Sequence, residues 1–368
     1  MLINSNITDA ENAIRQLQTT AGKYGLAINK EKSNILWINP KDKKNEIAGV
    51  KVVKEIKYLG ITLSDSNDMF KTHKENKLKL AEKLANITYS VMVKSCNRLL
   101  VGKTYWKSVA VPAILYGSGI IEWTEKEQQR LQTLQNLTCR RMLNAPIWTT
   151  NSGLKGEIGL SSMQSRITQS RLCYLNNRRK DGNELIKYVI KELETGKGKW
   201  KTYSERQCVK IGISQKELHN KSKQEIKDKI YKADNESWNL EMSKKKTLEY
   251  YRAYKKEVKQ EEEYENNRKA DLWFRTKTNC LYLGDRNRSD KRCKLCGHER
   301  EDLEHFLIHC PSLEDTRRKS TYLQRPLRES NQETMTIFIF SKEDTEHRKT
   351  TNERLWKKRD QLLKDLDN

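Results

Sequence analysis

Apolar positions recur every three or four residues over most of the chain, and that spacing predicts a mainly α-helical protein. Ala13, Ile14, Leu17, Ala21 and Tyr24 mark a first helix. Thr8 and Glu11 stand three apart at its start, as a capping box requires, and Gly22 and Gly25 supply its stop. The pattern then shortens. Residues 34–39 form a brief apolar run that predicts a strand. Residues 50–63 hold two extended runs that predict a hairpin, with Ile56, Tyr58 and Gly60 on one side and Lys57, Leu59 and Ile61 on the other. Beyond Asn67 and Asp68 the helical spacing returns, and His73, Lys77, Leu80, Leu84, Ile87 and Val91 predict a long helix. Pro112 should kink or end the next one. Thr124 and Glu127 make a second capping box, opening a helix through Leu131, Leu134, Leu137 and Met142; residues 161–180 predict another that ends in a basic cluster. From about 180 to 270 the chain is rich in Lys and Glu, so its helices should be polar-faced. Past Pro311 the chain is charged and weakly patterned. Residues 335–340 are the one compact apolar run there, compatible with a strand or a short buried helix.

Composition sharpens this picture. Only 35% of the 368 residues are hydrophobic, against about 45–50% in an average globular chain. That implies a thin core, long surface helices or some disorder. The formal charge is +23, from 72 Lys and Arg against 49 Asp and Glu. Such a field attracts a polyanion, although solvated helix faces of a lysine-rich chain would also produce it. No run approaches the roughly 18 apolar residues of a membrane span. The first residues lack the apolar stretch of about 7–15 residues that a secretory signal needs. Cys96, Cys139, Cys173, Cys208 and Cys280 are scattered and read as buried thiols, which fits a non-secreted protein of the cytosol or nucleus.

One segment carries candidate chemistry. Residues 293–310 hold three of the eight cysteines and three of the six histidines. Cys293-x2-Cys296-x8-His305-x4-Cys310 has the spacing of a structural zinc site, and a thiolate-rich set favours Zn²⁺ over hard cations. His309 adjoins Cys310 and His298 lies close to Cys296, so both suit the ion less well than His305. Four protein ligands leave no open position, which makes the role structural rather than catalytic.

Several stretches resemble the reverse transcriptases of non-LTR (LINE-type) retrotransposons. "YGLAINKEKSNILWIN" carries Gly25, Leu26, Asn29, Lys32 and Ser33 in the pattern that follows the family's active-site strand. "KEIKYLGITL" resembles its primer-grip hairpin through Tyr58, Leu59, Gly60 and Ile61. "AILYGSGIIEW", "LQTLQNLTCRRMLNAP", "LWFRTKTNCLYL" and the Cys/His segment resemble later pieces, in family order, out to about residue 315. The resemblance implies a palm remnant with the primer-grip hairpin over 1–64, a helical thumb over 65–122 and a helical basic connector over 123–270. A zinc-knuckle module over 271–315 and a charged tail over 316–368 would follow. It implies RNA and DNA as partners (element RNA, and target or primer DNA), no membrane, and no particular oligomeric state. Arg166, Arg171, Arg178, Arg179 and Lys180 are the densest candidates for phosphate contact; Lys74, Lys77, Lys79 and Lys83 would line the outer face of the thumb helix, and Lys291, Arg292, Lys294 and Arg300 the knuckle. Tyr58 would pack on a primer sugar or fill the core, and Lys32 reads as a surface lysine.

The same resemblance implies what is missing. In the family an aromatic-Ala-Asp-Asp turn precedes the counterpart of residue 1, and its aspartates hold two Mg²⁺ ions. Asp9, Glu11, Asp65 and Asp68 read instead as helix-start and loop residues. The expectation is therefore a truncated, nucleic-acid-binding chain with structural zinc and no catalytic residues, Mg²⁺ belonging only to the complete parent enzyme. Two alternatives stand beside it: a fragment of an active RNA-directed DNA polymerase, and a repurposed zinc-containing nucleic-acid-binding protein. A palm sheet without its partner strands should leave an open edge in residues 1–64, and with it poor solubility.

Overall fold

The computed structural model of the chain describes residues 6–38, 44–180, 182–196, 198–261, 264, 267–284, 291–323, 330–341 and 343–367. It is mainly helical, 64% helix against 5% strand, with β-structure confined to the first 64 residues. Helix α1 (Ile7–Lys23) starts two residues before the expected cap: Asn6 Oδ1 accepts from the Asp9 amide at 2.8 Å, so Thr8 lies inside the first turn. Its stop is a Schellman motif. Gly25 takes φ +70°, Leu26 N donates to Ala21 O at 2.9 Å, and Gly25 N donates to Gly22 O at 3.1 Å. No residue of α1 is fully buried.

Strands β1 (Asn34–Leu36), β2 (Glu46–Ile47) and β3 (Val50–Val53) form one small sheet in the order β1-β3-β2, with β1 and β3 parallel. Of the run 34–39, residue 39 lies outside the described residues. Strands β4 (Glu55–Tyr58) and β5 (Ile61–Ser64) form a separate hairpin. The expected single hairpin over 50–63 is thus two structures, because Val50–Val53 joins the other sheet. Leu59 and Gly60 both take positive φ in a two-residue turn, which pairs Tyr58 with Ile61 and breaks the simple alternation read across it. The hairpin is moored to the helical body: Tyr116 Oη donates to Leu59 O at 2.8 Å, and Thr62 N donates to His73 Nδ1 at 3.2 Å.

Helix α2 (Lys71–Val93) buries His73 and Leu84 of the expected stripe together with Lys74, Leu78, Ala81, Ala85, Thr88 and Met92; Leu80 and Ile87 are partly buried at its edge, and Val91 is exposed. Helix α5 (Glu125–Met142) packs along α2. Helix α3 (Arg98–Tyr105) runs through a π-turn at 106–110 into α4 (Val111–Ile114), with Pro112 inside α4. The wider turn, in which Val111 N donates to Trp106 O, opens the crowding that proline brings to an α-helix. Helix α5 begins with the expected capping box of Thr124 and Glu127.

Helices α6 (Asn151–Ile158), α7 (Met163–Arg179), α8 (Glu184–Thr195), α9 (Lys199–Val209), α10 (Gln215–His219), α11 (Lys223–Ser243), α12 (Glu249–Tyr254) and α13 (Arg268–Lys277) follow. The main core draws on residues Leu78 to Ile167 and Tyr264 to Leu355, the second half of α7 packs with α8–α11 around a satellite core, and Trp238, Met242, Leu248, Tyr251 and Val258 form a third cluster. The last stretch is not a charged tail. Helix α14 (Glu314–Arg317) leads to α15 (Asn331–Phe340), which buries Met335 and Phe338, and to α16 (Thr345–Asp367), which packs along α13. Pattern reading missed this because polar groups do much of the docking: Arg348 Nη1 donates to Phe338 O at 2.8 Å, and Asn352 Nδ2 donates to Thr276 Oγ1 at 2.9 Å. Cys139, Cys173, Cys208 and Cys280 are buried thiols outside any disulfide, as expected; Cys96 is exposed. Among the described residues no helix is long and apolar enough to cross a membrane.

Candidate metal centre and basic surfaces

Cys293, Cys296, His305 and Cys310 converge, with their four ligand atoms all within 4.8 Å of one another. The first two come from a tight loop. Gly297 N donates to Cys293 O and Cys293 N to His298 O, both at 2.8 Å, and Gly297 at φ +75° closes the turn. The second pair comes from a π-turn over 305–309, started by Asp302, whose Oδ1 accepts from His305 N at 2.9 Å. Five residues of α-helix would leave His305 and Cys310 about 140° apart around the axis. The π-turn, closed by Cys310 N donating to His305 O at 2.8 Å, brings them to one side.

The distances fit zinc. Tetrahedral bonds of about 2.3 Å to sulfur and about 2.0 Å to nitrogen put sulfurs about 3.8 Å apart and sulfur and nitrogen about 3.5 Å apart. Here Cys293 Sγ and Cys310 Sγ are 3.9 Å apart, and Cys296 Sγ lies 3.4 Å from His305 Nε2. The chemistry fits as well. Burial, then the neighbouring sulfurs, pushes the Cys310 thiol up to about 12; burial also raises Cys293 and lowers His305. Metal-free, the set favours protonated thiols and a neutral ring, and a bound divalent cation would reverse the preference of the thiols. His298 stacks on His305 at 4.4 Å, and the exposed His309 sits beside Glu304 instead of in the cluster.

Around the cluster the loop is built into the protein. Glu301, buried, accepts from Arg359 Nε and Nη2 of α16 at 2.6 and 2.7 Å and from Gly284 N at 2.7 Å. Phe306 meets Trp356 edge-on at 5.9 Å, Arg317 donates to Cys310 O, and Cys293, Leu303, Phe306 and Leu307 belong to the main core. Sequence reading missed Glu301, Arg317 and Arg359. The adjoining acidic pair Glu301-Asp302 was a local signal; nothing local marks Arg359, 58 residues away from its partner.

The basic cluster of α7 divides. Arg171 is not available to phosphate: it is fully buried, its Nη1 donates to Gly119 O at 2.9 Å, its Nε to Ser204 Oγ at 3.1 Å, and its guanidinium lies over Trp200 and Tyr203. Arg179 is held by Glu194 at 2.5 Å and by Gln215 O. Arg166 is half-buried, with its charge near Asp234, and Arg178 lies over the Tyr174 ring. Lys180 alone is exposed, although its Nζ donates to Lys221 O at 3.2 Å. On α2, Lys74 is buried between Asp68 at 2.6 Å and Glu127 at 3.1 Å, and Lys77 donates to Ala113 O at 2.7 Å. Lys79 and Lys83 face solvent as expected. Asp68 is therefore engaged with Lys74 and the Phe70 amide, and Asp9 with Asn6.

The first two resemblance motifs fall on exposed turns, whereas the later ones run through helices and the core. Asn29 Oδ1 accepts from Lys32 N at 3.1 Å, Lys32 itself is exposed, and Gly25 ends α1. Tyr58 and Leu59 are exposed at the hairpin tip, so Tyr58 does not fill the core, and a Cβ on Gly60 would lie 3.1 Å from the Tyr116 ring. Comparison with protein-family models, with curated proteins and with solved structures gives no match for this chain.

Proposed function

We propose that the chain is a nucleic-acid-binding segment of the non-LTR reverse-transcriptase kind. In this reading it holds RNA or DNA by its phosphates, does not polymerise on its own, and uses zinc to fasten its C-terminal half. The observation that carries the reading is the convergence of Cys293, Cys296, His305 and Cys310 in a chain with 23 excess positive charges. The order of the sequence pieces that resemble the family supports it. The zinc role is structural because the donor set leaves no open position and its loop is embedded in the core. Lys79, Lys83, Lys180 and Lys294, all exposed, are the cations placed to meet phosphate.

Fluorescence anisotropy with a labelled single-stranded RNA and a DNA duplex tests the reading. Neutralising about three phosphates gives a salt slope near −2.7 on the duplex and near −2.1 on the single strand, or roughly a fortyfold and a twentyfold loss of affinity between about 50 and 200 mM salt. Binding that stays flat over that range overturns phosphate recognition. A primer-extension assay with Mg²⁺ is expected to give no product, and measurable synthesis would refute the assignment of a chain without catalytic residues.

A further inference from the structure

The loop between α5 and α6 places an apolar tip where the fold has no use for one. Pro146–Thr149 is a tight turn closed by Thr149 N donating to Pro146 O at 3.1 Å. Ile147, at a corner of that turn, is 83% exposed, the most exposed large apolar side chain among the described residues. Trp148 beside it is anchored, with Nε1 donating to Cys280 O at 3.2 Å, and its ring meets Tyr282 at 4.1 Å and 81°. Tyr282 is half exposed, and its hydroxyl has no hydrogen-bond partner among the described residues. The turn is held at both ends by arginines. Arg275 Nη2 donates to Asn144 O at 2.9 Å; Arg140 Nη2 donates to Thr149 O at 3.1 Å and to Asn151 Oδ1 at 2.6 Å. Both guanidinium groups donate through Nη2 to carbonyl and amide oxygens, not to carboxylates, and the Nε of each is buried without a hydrogen-bond partner. Neither arginine has a carboxylate partner among the described residues, and both hold the loop that carries Ile147 and Trp148.

A rigid aromatic pair, an adjacent aliphatic wedge and two uncompensated cations match the requirements for holding an unpaired base between its phosphates. A protein partner's apolar pocket would also accept Ile147, but it would need carboxylates set on both sides of that pocket to use the two arginines, whereas a nucleic-acid strand carries a phosphate on each side of every base. We propose that Ile147, Trp148 and Tyr282 form a stacking site for a base of single-stranded nucleic acid, with Arg140 and Arg275 attracting the flanking phosphates. This rests on the nucleic-acid reading above and adds to it a preference for single strands at a defined place.

The test uses the full zinc-loaded chain, a single-stranded oligonucleotide carrying 2-aminopurine, and a duplex of the same length. Tyr282→Ala is expected to weaken single-strand binding about tenfold and to remove the 2-aminopurine fluorescence change, because stacking on one aromatic is worth that much. Duplex affinity should stay within twofold, and Tyr282→Phe should behave as the parent chain. Ile147→Ala, at a solvent-facing position that cannot disturb folding, should give a several-fold loss on the single strand only. Single-strand affinity within twofold of the parent chain in both alanine variants overturns this inference and leaves the nucleic-acid reading intact, as does an equal loss on the duplex. Failure of the unmutated chain to bind either oligonucleotide refutes the nucleic-acid reading, and this one with it.

Discussion

The buried pair of Glu301 and Arg359 joins the candidate zinc loop to the last helix, and its removal has a calculable outcome. Both side chains are almost wholly buried, and two charge-assisted hydrogen bonds of 2.6 and 2.7 Å link them. Glu301→Leu would leave the Arg359 guanidinium in the core without a counter-charge, and the Gly284 amide without an acceptor. Breaking a buried pair from one side costs about 3–5 kcal/mol, and an orphaned amide adds about 1–3 kcal/mol. Even the low end of that sum, about 4 kcal/mol, shifts the folding equilibrium roughly a thousandfold, a large share of the 5–15 kcal/mol typical of a domain. Arg359→Leu should be comparably harmful. The double variant should recover most of the loss, because two apolar side chains of similar volume need no partner. Urea unfolding at saturating Zn²⁺ would measure the cycle, and hydrogen exchange of residues 345–367 would show whether α16 is the part released. Losses that simply add in the double variant would show that the two side chains act independently and would refute the reasoning.

Elemental analysis of the purified chain should find one zinc per molecule, lost in Cys310→Ser and His305→Ala but kept in His298→Ala and His309→Ala; unchanged zinc in His305→Ala would sink the ligand set. His73 is held neutral, chiefly by burial, so its pKa lies below the ordinary 6.5. Its ring accepts from the Thr62 amide, so the contribution is full above pH 6.5 and is lost as the pH falls from there through the lowered pKa. Stability should thus drop more between pH 7.5 and pH 5.5 in the parent chain than in His73→Gln, and equal drops in thermal melts would exclude a role for this ring. Gly60 sits at φ +82° with the Tyr116 ring close by, so Gly60→Ala should destabilise the hairpin by about 1–2 kcal/mol. An unchanged melting temperature would mean the turn relaxes freely.

The helices of this protein were legible where caps and apolar spacing agree, as at Thr124–Met142, and the four ligands were legible because their spacing is itself a coordination pattern. Three features were not fully legible, each for a physical reason. The buried face of α2 was legible only in part: His73 and Leu84 lie on it as expected, but Ala81, Ala85 and Thr88 beside them are too small or too polar to stand out against Leu80 and Val91. The α7 arginines looked like a phosphate patch because charge is visible locally, whereas the carbonyls and rings that bury Arg171 lie about 30 to 50 residues away in sequence. The stretch beyond residue 316 looked like a tail because Arg348, Asn352 and Arg359 hold it in place, and a hydropathy pattern counts such residues as solvent-facing.

Arg171, Arg317, Arg348 and Arg359 occupy volume in this protein that hydrocarbon fills in most others. Exposing apolar surface on unfolding raises heat capacity, whereas exposing polar surface lowers it. A core plugged with guanidinium groups should therefore unfold with a smaller heat-capacity increment than its length suggests. Its stability would then change less with temperature, with a broad, shallow optimum in place of a sharp one.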